Sequence, residues 1–269
     1  MSKIGFIGSG NMAEALIRGI LAAKLCAPED VLISDVRPER LETLCSQYGV
    51  TPAADNADLA SQADVLILAV KPQNFAQVLA EIGDAVRTDT LVISIAAGIT
   101  AARIAEALPG REVIRVMPNT PALIGQGASA LYSANAAPRS MEIAKKMFAA
   151  VGKVVVVDNE PLIDAVTAVS GSGPAYFFLL MEAMIESAKA LGLADDVART
   201  LVLQTARGAV LLAESAAEKG ETPADLRCRV TSPGGTTEAA LKVFRRLDFA
   251  NTVQIALKAA NDRSRELSA

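Results

Sequence analysis

Lys3-Ile4-Gly5-Phe6-Ile7-Gly8-Ser9-Gly10-Asn11-Met12-Ala13 decides the fold. Residues 3–7 read as a short strand, and the glycines follow at once. A helical pattern takes over at residues 11–24, with Leu16, Ile17, Ile20 and Leu21 on one face. Gly8, Gly10 and Ala13 therefore occupy the three positions of a dinucleotide fingerprint, in the strand–turn–helix setting that the fingerprint requires. Gly8 permits the tight turn, Gly10 lets a pyrophosphate approach the backbone, and Ala13 keeps the helix close to the strand. A helix that starts this way presents unpaired N–H groups and the positive end of its dipole to an anion. The alternative is a plain strand–helix turn with incidental glycines.

Outward from this turn, strand and helix patterns alternate. Strands are expected at residues 31–34, 65–70, 91–95, 113–117, 129–132 and 154–157. Residues 65–70 form an unbroken apolar run, as suits a strand buried on both faces. Pro38 and Pro138 each stand where a helix begins, the position at which a missing N–H costs least. Strands separated by helices predict a parallel, doubly wound sheet.

The pattern changes after Glu160, and beyond Leu162 almost no strand signal remains. Residues 162–191 read as helix interrupted at Gly171-Ser172-Gly173-Pro174, and residues 195–217 as a long helix apolar on more than one side. Such a helix is buried, in its own domain or against another subunit. The expectation is an α/β protein in two domains. Residues 1–159 form a Rossmann-like doubly wound sheet that binds a dinucleotide, and residues 160–269 form an all-helical dimerisation and substrate domain.

Composition narrows the function. Of 269 residues, 51% are hydrophobic, ample for a core, and the net charge of −4 argues against a nucleic-acid surface. No signal peptide shows, and no apolar stretch reads as long enough to span a membrane; the longest, residues 175–181, stops at Glu182. The three cysteines, Cys26, Cys45 and Cys228, share no metal spacing and read as the reduced thiols of a cytoplasmic protein. No histidine is present. That removes the Ser-His-Asp triad, the usual histidine metal sites and the histidine acid of many dehydrogenases, so no metal is expected.

A second anion cradle lies in the helical half, at Val230-Thr231-Ser232-Pro233-Gly234-Gly235-Thr236-Thr237. Hydroxyls flank two glycines, and a helical pattern follows. Ser232, Gly234, Gly235, Thr236 and Thr237 suit a small carboxylate. For the cofactor, Gly8, Ser9, Gly10, Asn11 and Met12 form the first loop. Asp35 suits the ribose diol of NAD, whereas Ser34 and Arg37 suit the 2′-phosphate of NADP; otherwise Asp35 and Arg37 are plain loop charges. Asn56 either caps the helix after Asp55 or touches the adenosine half. Ala69, Val70, Lys71 and Pro72, and Ala96, Ala97 and Gly98, leave the carboxyl edge of the sheet, where ligands bind in such folds. Pro118 and Pro121 hold Asn119 and Thr120 in a rigid turn suited to a nicotinamide carboxamide. The break at residues 170–175 either contributes to the site or only lets helices cross closely.

These segments together resemble the pyrroline-5-carboxylate reductase family over essentially the whole chain. The carriers are residues 8–13, 69–72, 96–98, 117–121, 170–176 and 230–237. The resemblance implies NAD(P)H-dependent reduction of 1-pyrroline-5-carboxylate to L-proline, the last step of proline biosynthesis, by a cytoplasmic homodimer that builds a larger homo-oligomer. NADPH is the expected cofactor, with NADH possible. It puts the substrate carboxylate on the backbone of residues 234–237 and matches Thr237 to the family's proton donor. One departure is Thr222, where the family usually has histidine. A β-hydroxyacid dehydrogenase would need a lysine soon after Pro174, and none occurs before Lys189. A reductase for six-membered cyclic imines and a non-catalytic cofactor sensor are the other readings.

Overall fold

The structure, a computed structural model, describes residues 3–268. Met1, Ser2 and Ala269, the outer ends of the two expected domains, lie outside the described residues. The chain divides into two compact units. One extends to Pro174 and takes back the chain from Ala259; the other is Ala175–Lys258.

The first unit is built on eight strands: β1 (Ile4–Ile7), β2 (Val31–Ser34), β3 (Thr51–Pro52), β4 (Val65–Leu68), β5 (Leu91–Ser94), β6 (Glu112–Met117), β7 (Gly127–Tyr132) and β8 (Gly152–Val156). They lie in the order β3-β2-β1-β4-β5-β6-β7-β8. The α-helices of this unit include α1 (Asn11–Ala22), α2 (Pro38–Tyr48), α3 (Asn56–Gln62), α4 (Phe75–Ile82), α5 (Ala101–Ala107), α6 (Pro138–Ala149) and α7 (Leu162–Val166). The sheet has a core on each face. Ile4, Phe6, Val65 and Ile67 pack with Leu16, Ile17 and Ile20 of α1 and with Met147 and Phe148 of α6. Ile7, Leu66 and Leu68 pack with Leu59 of α3, Phe75 and Leu79 of α4, and Ile104 of α5. Successive strand residues point to opposite faces, so a strand covered on both sides must be apolar throughout. Each fully buried Ile, Leu or Phe contributes about 1.5–3 kcal/mol. Helices as short as α3 and α5 are unstable alone, so this packing holds them.

The sheet departs from the expected all-parallel form at one junction: β6 and β7 are antiparallel. Residues 118–126 are too few for a crossover helix, so the chain turns back. Strand β8 then pairs parallel with β7 through the α6 crossover. The expected helix break at residues 171–174 is also absent. Helix α7 widens into a π-turn at Thr167–Gly171, where the Ser172 amide donates to the Thr167 carbonyl at 2.8 Å, and continues as α8 (Gly173–Ala190). This continuity corrects the membrane reading. Leu162–Ala190 is a single run of 29 residues whose most apolar 18-residue window has a mean hydropathy of 1.2 and is little buried, so by length and composition alone it is long and apolar enough to cross a membrane. In the sequence this run is masked by Gly171-Ser172-Gly173-Pro174, which mimics a helix break, and by Glu182, which ends the apolar stretch.

The second unit carries most of α8, then α9 (Asp195–Ala217), α10 (Pro223–Arg229), α11 (Thr236–Arg246) and the first part of α12 (Phe249–Ser268). Packing groups α7, the π-turn and the end of α12 with the sheet. There the Ser264 hydroxyl donates to the buried Asp164 carboxylate at 2.7 Å.

Candidate active site

In-register parallel pairing aligns the strand ends. Ile7 pairs with Ser34 and with Leu68, and Leu68 pairs with Ser94. The loops that follow, at residues 8–12, 35–37, 69–72 and 95–98, therefore leave one edge of the sheet. Strand β1 has β2 on one side and β4 on the other, so the winding reverses between β1 and β4. Dinucleotides bind at such a reversal.

Gly8 shows why the fingerprint needs glycine. Its φ is +91°, and a Cβ there would lie 2.7 Å from the Ala69 carbonyl oxygen. Gly10 has ordinary dihedrals, and a Cβ on it would meet no atom within 4 Å. Neither backbone nor packing demands glycine there, so the open space beside it is room for a ligand. No side chain caps α1 at Gly10. The amides of Asn11, Met12 and Ala13 precede the first intrahelical bond, from the Glu14 amide to the Gly10 carbonyl. Room and unpaired donors together fit a pyrophosphate.

The loop is braced from behind. Arg40 Nε donates to the Ser9 carbonyl at 2.7 Å, and its other arm pairs with Glu14. Arg40 holds the Glu14 carboxyl below the usual carboxylate range. The Ser9 amide donates to Asp35 Oδ2 at 2.7 Å, and Arg37 grips the same carboxylate through Nε at 3.0 Å and Nη2 at 3.1 Å. Burial pushes the Asp35 carboxyl up, but Arg37 and the Ser9 and Arg37 amides outweigh it and hold it below its ordinary value. The Asp35 side chain is 6% exposed and the Arg37 side chain 52%. Asp35 is thus spent on the loop, and Arg37 is the group facing solvent beside Ser34.

Ser34 and Asn56 come together. The Ser34 hydroxyl donates to Asn56 Oδ1 at 2.8 Å, and Asn56 Nδ2 donates to Glu81 at 2.6 Å. Asp55, not Asn56, caps α3, accepting from the Asp58 amide at 2.7 Å. Ala69 is tied to β1 through the Ile7 carbonyl at 2.8 Å; Val70 after it is half-buried, and Lys71 and Pro72 are exposed at the rim. Of the 96–98 loop, Ala96 and Gly98 are buried and Ala97 is exposed. The loop leads into α5, whose Ala101 amide donates to Glu160 at 2.6 Å; Glu160 also binds Arg115, 3% exposed, at 2.9 Å.

Asn119 lies at the end of β6 with both ends of its amide used. Nδ2 donates to the Ser170 carbonyl at 3.0 Å, and Oδ1 accepts from the Ala128 amide at 2.8 Å. The side chain links β6 to the π-turn and to β7, and Thr120 beside it is exposed. Gly171 admits the Met117 side chain, whose Cε would lie 2.9 Å from a Cβ there. These contacts make the rigid turn a brace for the sheet edge.

The second cradle lies wholly in the helical unit. The Gly235 amide donates to the Ser232 carbonyl at 3.0 Å, and Gly234 has φ +74°. With Pro233 before it, this is a type II turn. Helix α11 begins at once, with no side-chain cap on Gly235 and its first return bond from Ala239 to Gly235. The amides of Thr236, Thr237 and Glu238 therefore have no intrahelical acceptor. The Gly234 amide, in contrast, donates to Glu238 Oε2 at 2.9 Å. Ser232, Gly234 and Thr236 are exposed, and Gly235 and Thr237 half-buried. Nearby, Thr222 caps α10 in a reciprocal box with Asp225. Threonine suits that role, which explains a non-histidine residue there.

Sequence reasoning missed Arg40, Glu14, Glu81 and Glu238. Glu238 alone left a signal, since a glutamate at the third helical position commonly reaches back to amides before the helix. The partners of Arg40 and Glu81 depend on which loops the fold brings together. Among the described residues no three His, Cys, Asp or Glu side chains gather as metal ligands would.

A glycine turn with free helix amides at the reversal of a parallel sheet, followed by a helical unit with its own amide cradle, defines a Rossmann-type dinucleotide oxidoreductase. Two family models match: "NADP oxidoreductase coenzyme F420-dependent" over residues 3–98 and "Pyrroline-5-carboxylate reductase dimerisation" over residues 160–267. The chain belongs to the pyrroline-5-carboxylate reductase family. It is 46% identical to the pyrroline-5-carboxylate reductase of Pseudomonas aeruginosa, covering 99% of this chain and 97% of that protein. Among solved structures, the Coxiella burnetii pyrroline-5-carboxylate reductase superposes with a TM-score of 0.91 at 38% identity, covering 100% of this chain and 99% of that one. The Plasmodium falciparum pyrroline carboxylate reductase, solved with NADP bound, gives 0.88 at 29% identity, covering 100% and 98%.

Proposed function

We infer that this chain is an NAD(P)H-dependent reductase that converts 1-pyrroline-5-carboxylate to L-proline, the last step of proline biosynthesis. The observation that carries this reading is full-length likeness to the family with both open amide turns intact. When bound, the nicotinamide supplies the hydride. All other work falls to the chain. Residues 8–12, Ser34, Asn56, 69–72 and 96–98 hold the dinucleotide at the sheet edge. The amides at the start of α11, with the Ser232 hydroxyl and the close backbone approach that Gly235 permits, hold the substrate carboxylate and so orient the ring. Thr237 Oγ1 hydrogen-bonds the ring nitrogen, directly or through water, and supplies its proton. A cyclic imine takes up a proton readily, and the iminium accepts hydride better than a ketone does. A hydroxyl therefore suffices, and the absence of histidine is no obstacle.

NADPH is the preferred cofactor. The support is that Asp35 is occupied by its own loop, while Arg37 and Ser34 offer a cation and a hydroxyl to a 2′-phosphate. The apolar faces of α8 and α9 meet a second copy of the chain, in a homodimer that builds a larger assembly. Phe177, Phe178, Leu179, Leu201, Leu203 and Leu211 are more than half exposed in the single chain. The dimerisation match supports a protein partner over lipid for this surface, and the protein is cytoplasmic, with no membrane or nucleic-acid role.

The direct test follows oxidation of NADPH and of NADH with pyrroline-5-carboxylate and with its six-membered analogue. The expected result is turnover fastest with NADPH and the five-membered ring. No turnover of pyrroline-5-carboxylate with either cofactor would contradict the reading.

A further inference from the structure

Glu238 already places one carboxylate on the turn that is read as the carboxylate site. It stands third in α11, reaches back to the Gly234 amide at 2.9 Å, and pairs with Lys242 one helical turn further on at 3.2 Å. The Gly234 amide and then Lys242 hold its carboxyl below the usual range, so it is ionised at neutral pH. Two consequences follow. The Gly234 amide is taken, so the backbone donors left open to a ligand are the amides of Thr236, Thr237 and Glu238. The turn is also fastened to the helix across Gly234, the residue whose left-handed backbone makes the turn and which has the least intrinsic stiffness. Gly235 and its Ser232 bond alone would leave that segment free to swing away from the helix start.

We propose that Glu238 is a positioning residue for the substrate carboxylate: by occupying the Gly234 amide it locks the turn and leaves the next three amides aimed at one anion. This rests on reading the turn as the carboxylate site. Glu238 also sets a negative charge beside the bound carboxylate, an opposition that Lys242 offsets. Geometry and charge thus act in opposite directions, and two substitutions separate them. Glu238→Ala removes both, whereas Glu238→Gln keeps an oxygen for the Gly234 amide and removes only the charge.

Steady-state kinetics on the full-length enzyme tests this, with NADPH affinity measured separately by fluorescence titration. Glu238→Ala is expected to raise the KM for pyrroline-5-carboxylate about tenfold, the worth of one hydrogen bond. It should leave kcat within about threefold and NADPH affinity unchanged, the split expected when only substrate binding is lost. Glu238→Gln is expected to restore KM to the native value or below it. Thr236→Pro serves as the control on the underlying reading. It deletes one ligand-facing amide at the first helical position, where proline is tolerated, and should raise the same KM. If Thr236→Pro raises KM and Glu238→Ala does not, or if Gln behaves as Ala does, the role of Glu238 is overturned and the site stands. If Thr236→Pro leaves KM unmoved, the carboxylate site itself falls.

Discussion

Thr237 is the residue on which the proposed chemistry turns. It stands second in α11, half-buried, and its own amide is one of the three left open there. A hydroxyl in this position can cap its backbone or give a proton to a ligand, and turnover separates the two. Thr237→Ala is expected to lower kcat about a hundredfold, the low end of what a placed proton donor contributes, and Thr237→Ser to restore most of it. Full turnover with unchanged substrate affinity in Thr237→Ala would remove the residue from the mechanism. At this scale the sequence was most legible where a residue's role depends on its neighbours in the chain. Gly8, Gly10 and Gly234 were readable because turn geometry is local. The partners of Asp35, Asn56 and Asn119 were not, since only the fold brings them near: Ser9, Ser34 and Ser170 respectively. Asn119 in particular, expected to meet the nicotinamide carboxamide, also uses its amide to link the Ser170 carbonyl and the Ala128 amide.

Among the elements, those with a strong hydrophobic period were placed by pattern alone. Strands β1, β2, β4 and β5 and helices α1 and α6 lie where apolar runs and proline starts put them. Two features resisted pattern. The reversal at β7 depends on the length of the β6–β7 connection, which alternation of strand and helix does not reveal. The π-turn before α8 was read as a break because Gly and Pro usually end helices. Here Pro174 falls in the first turn of α8, where its missing N–H costs little, and the backbone widens by one residue instead of stopping. The resulting run of helix leaves an apolar surface that continues onto α9, and its cover is expected to be a second chain. Sedimentation of the native protein at micromolar concentration should show a dimer or larger, and Leu203→Glu, at an exposed α9 position, should shift it towards monomer. A stable, active native monomer would contradict this.

Across the whole molecule, one problem is solved twice. A reductase of this kind must fix a large anion and a small one with enough precision that a hydride moves between them, and orientation contributes much of the rate. In the proposed reading each anion is held by the same device, a glycine-containing turn that opens a helix and leaves its first amides unpaired. One opens α1 in the sheet unit and the other opens α11 in the helical unit. Each is fastened by a carboxylate of the protein itself, Asp35 on the Ser9 amide and Glu238 on the Gly234 amide. A crystal structure of the protein with NADP and L-proline bound tests this claim most directly. The account predicts the pyrophosphate on the amides of Asn11, Met12 and Ala13, and the proline carboxylate on those of Thr236, Thr237 and Glu238. Proline bound away from the Pro233 turn, or a pyrophosphate away from Gly10, would contradict it.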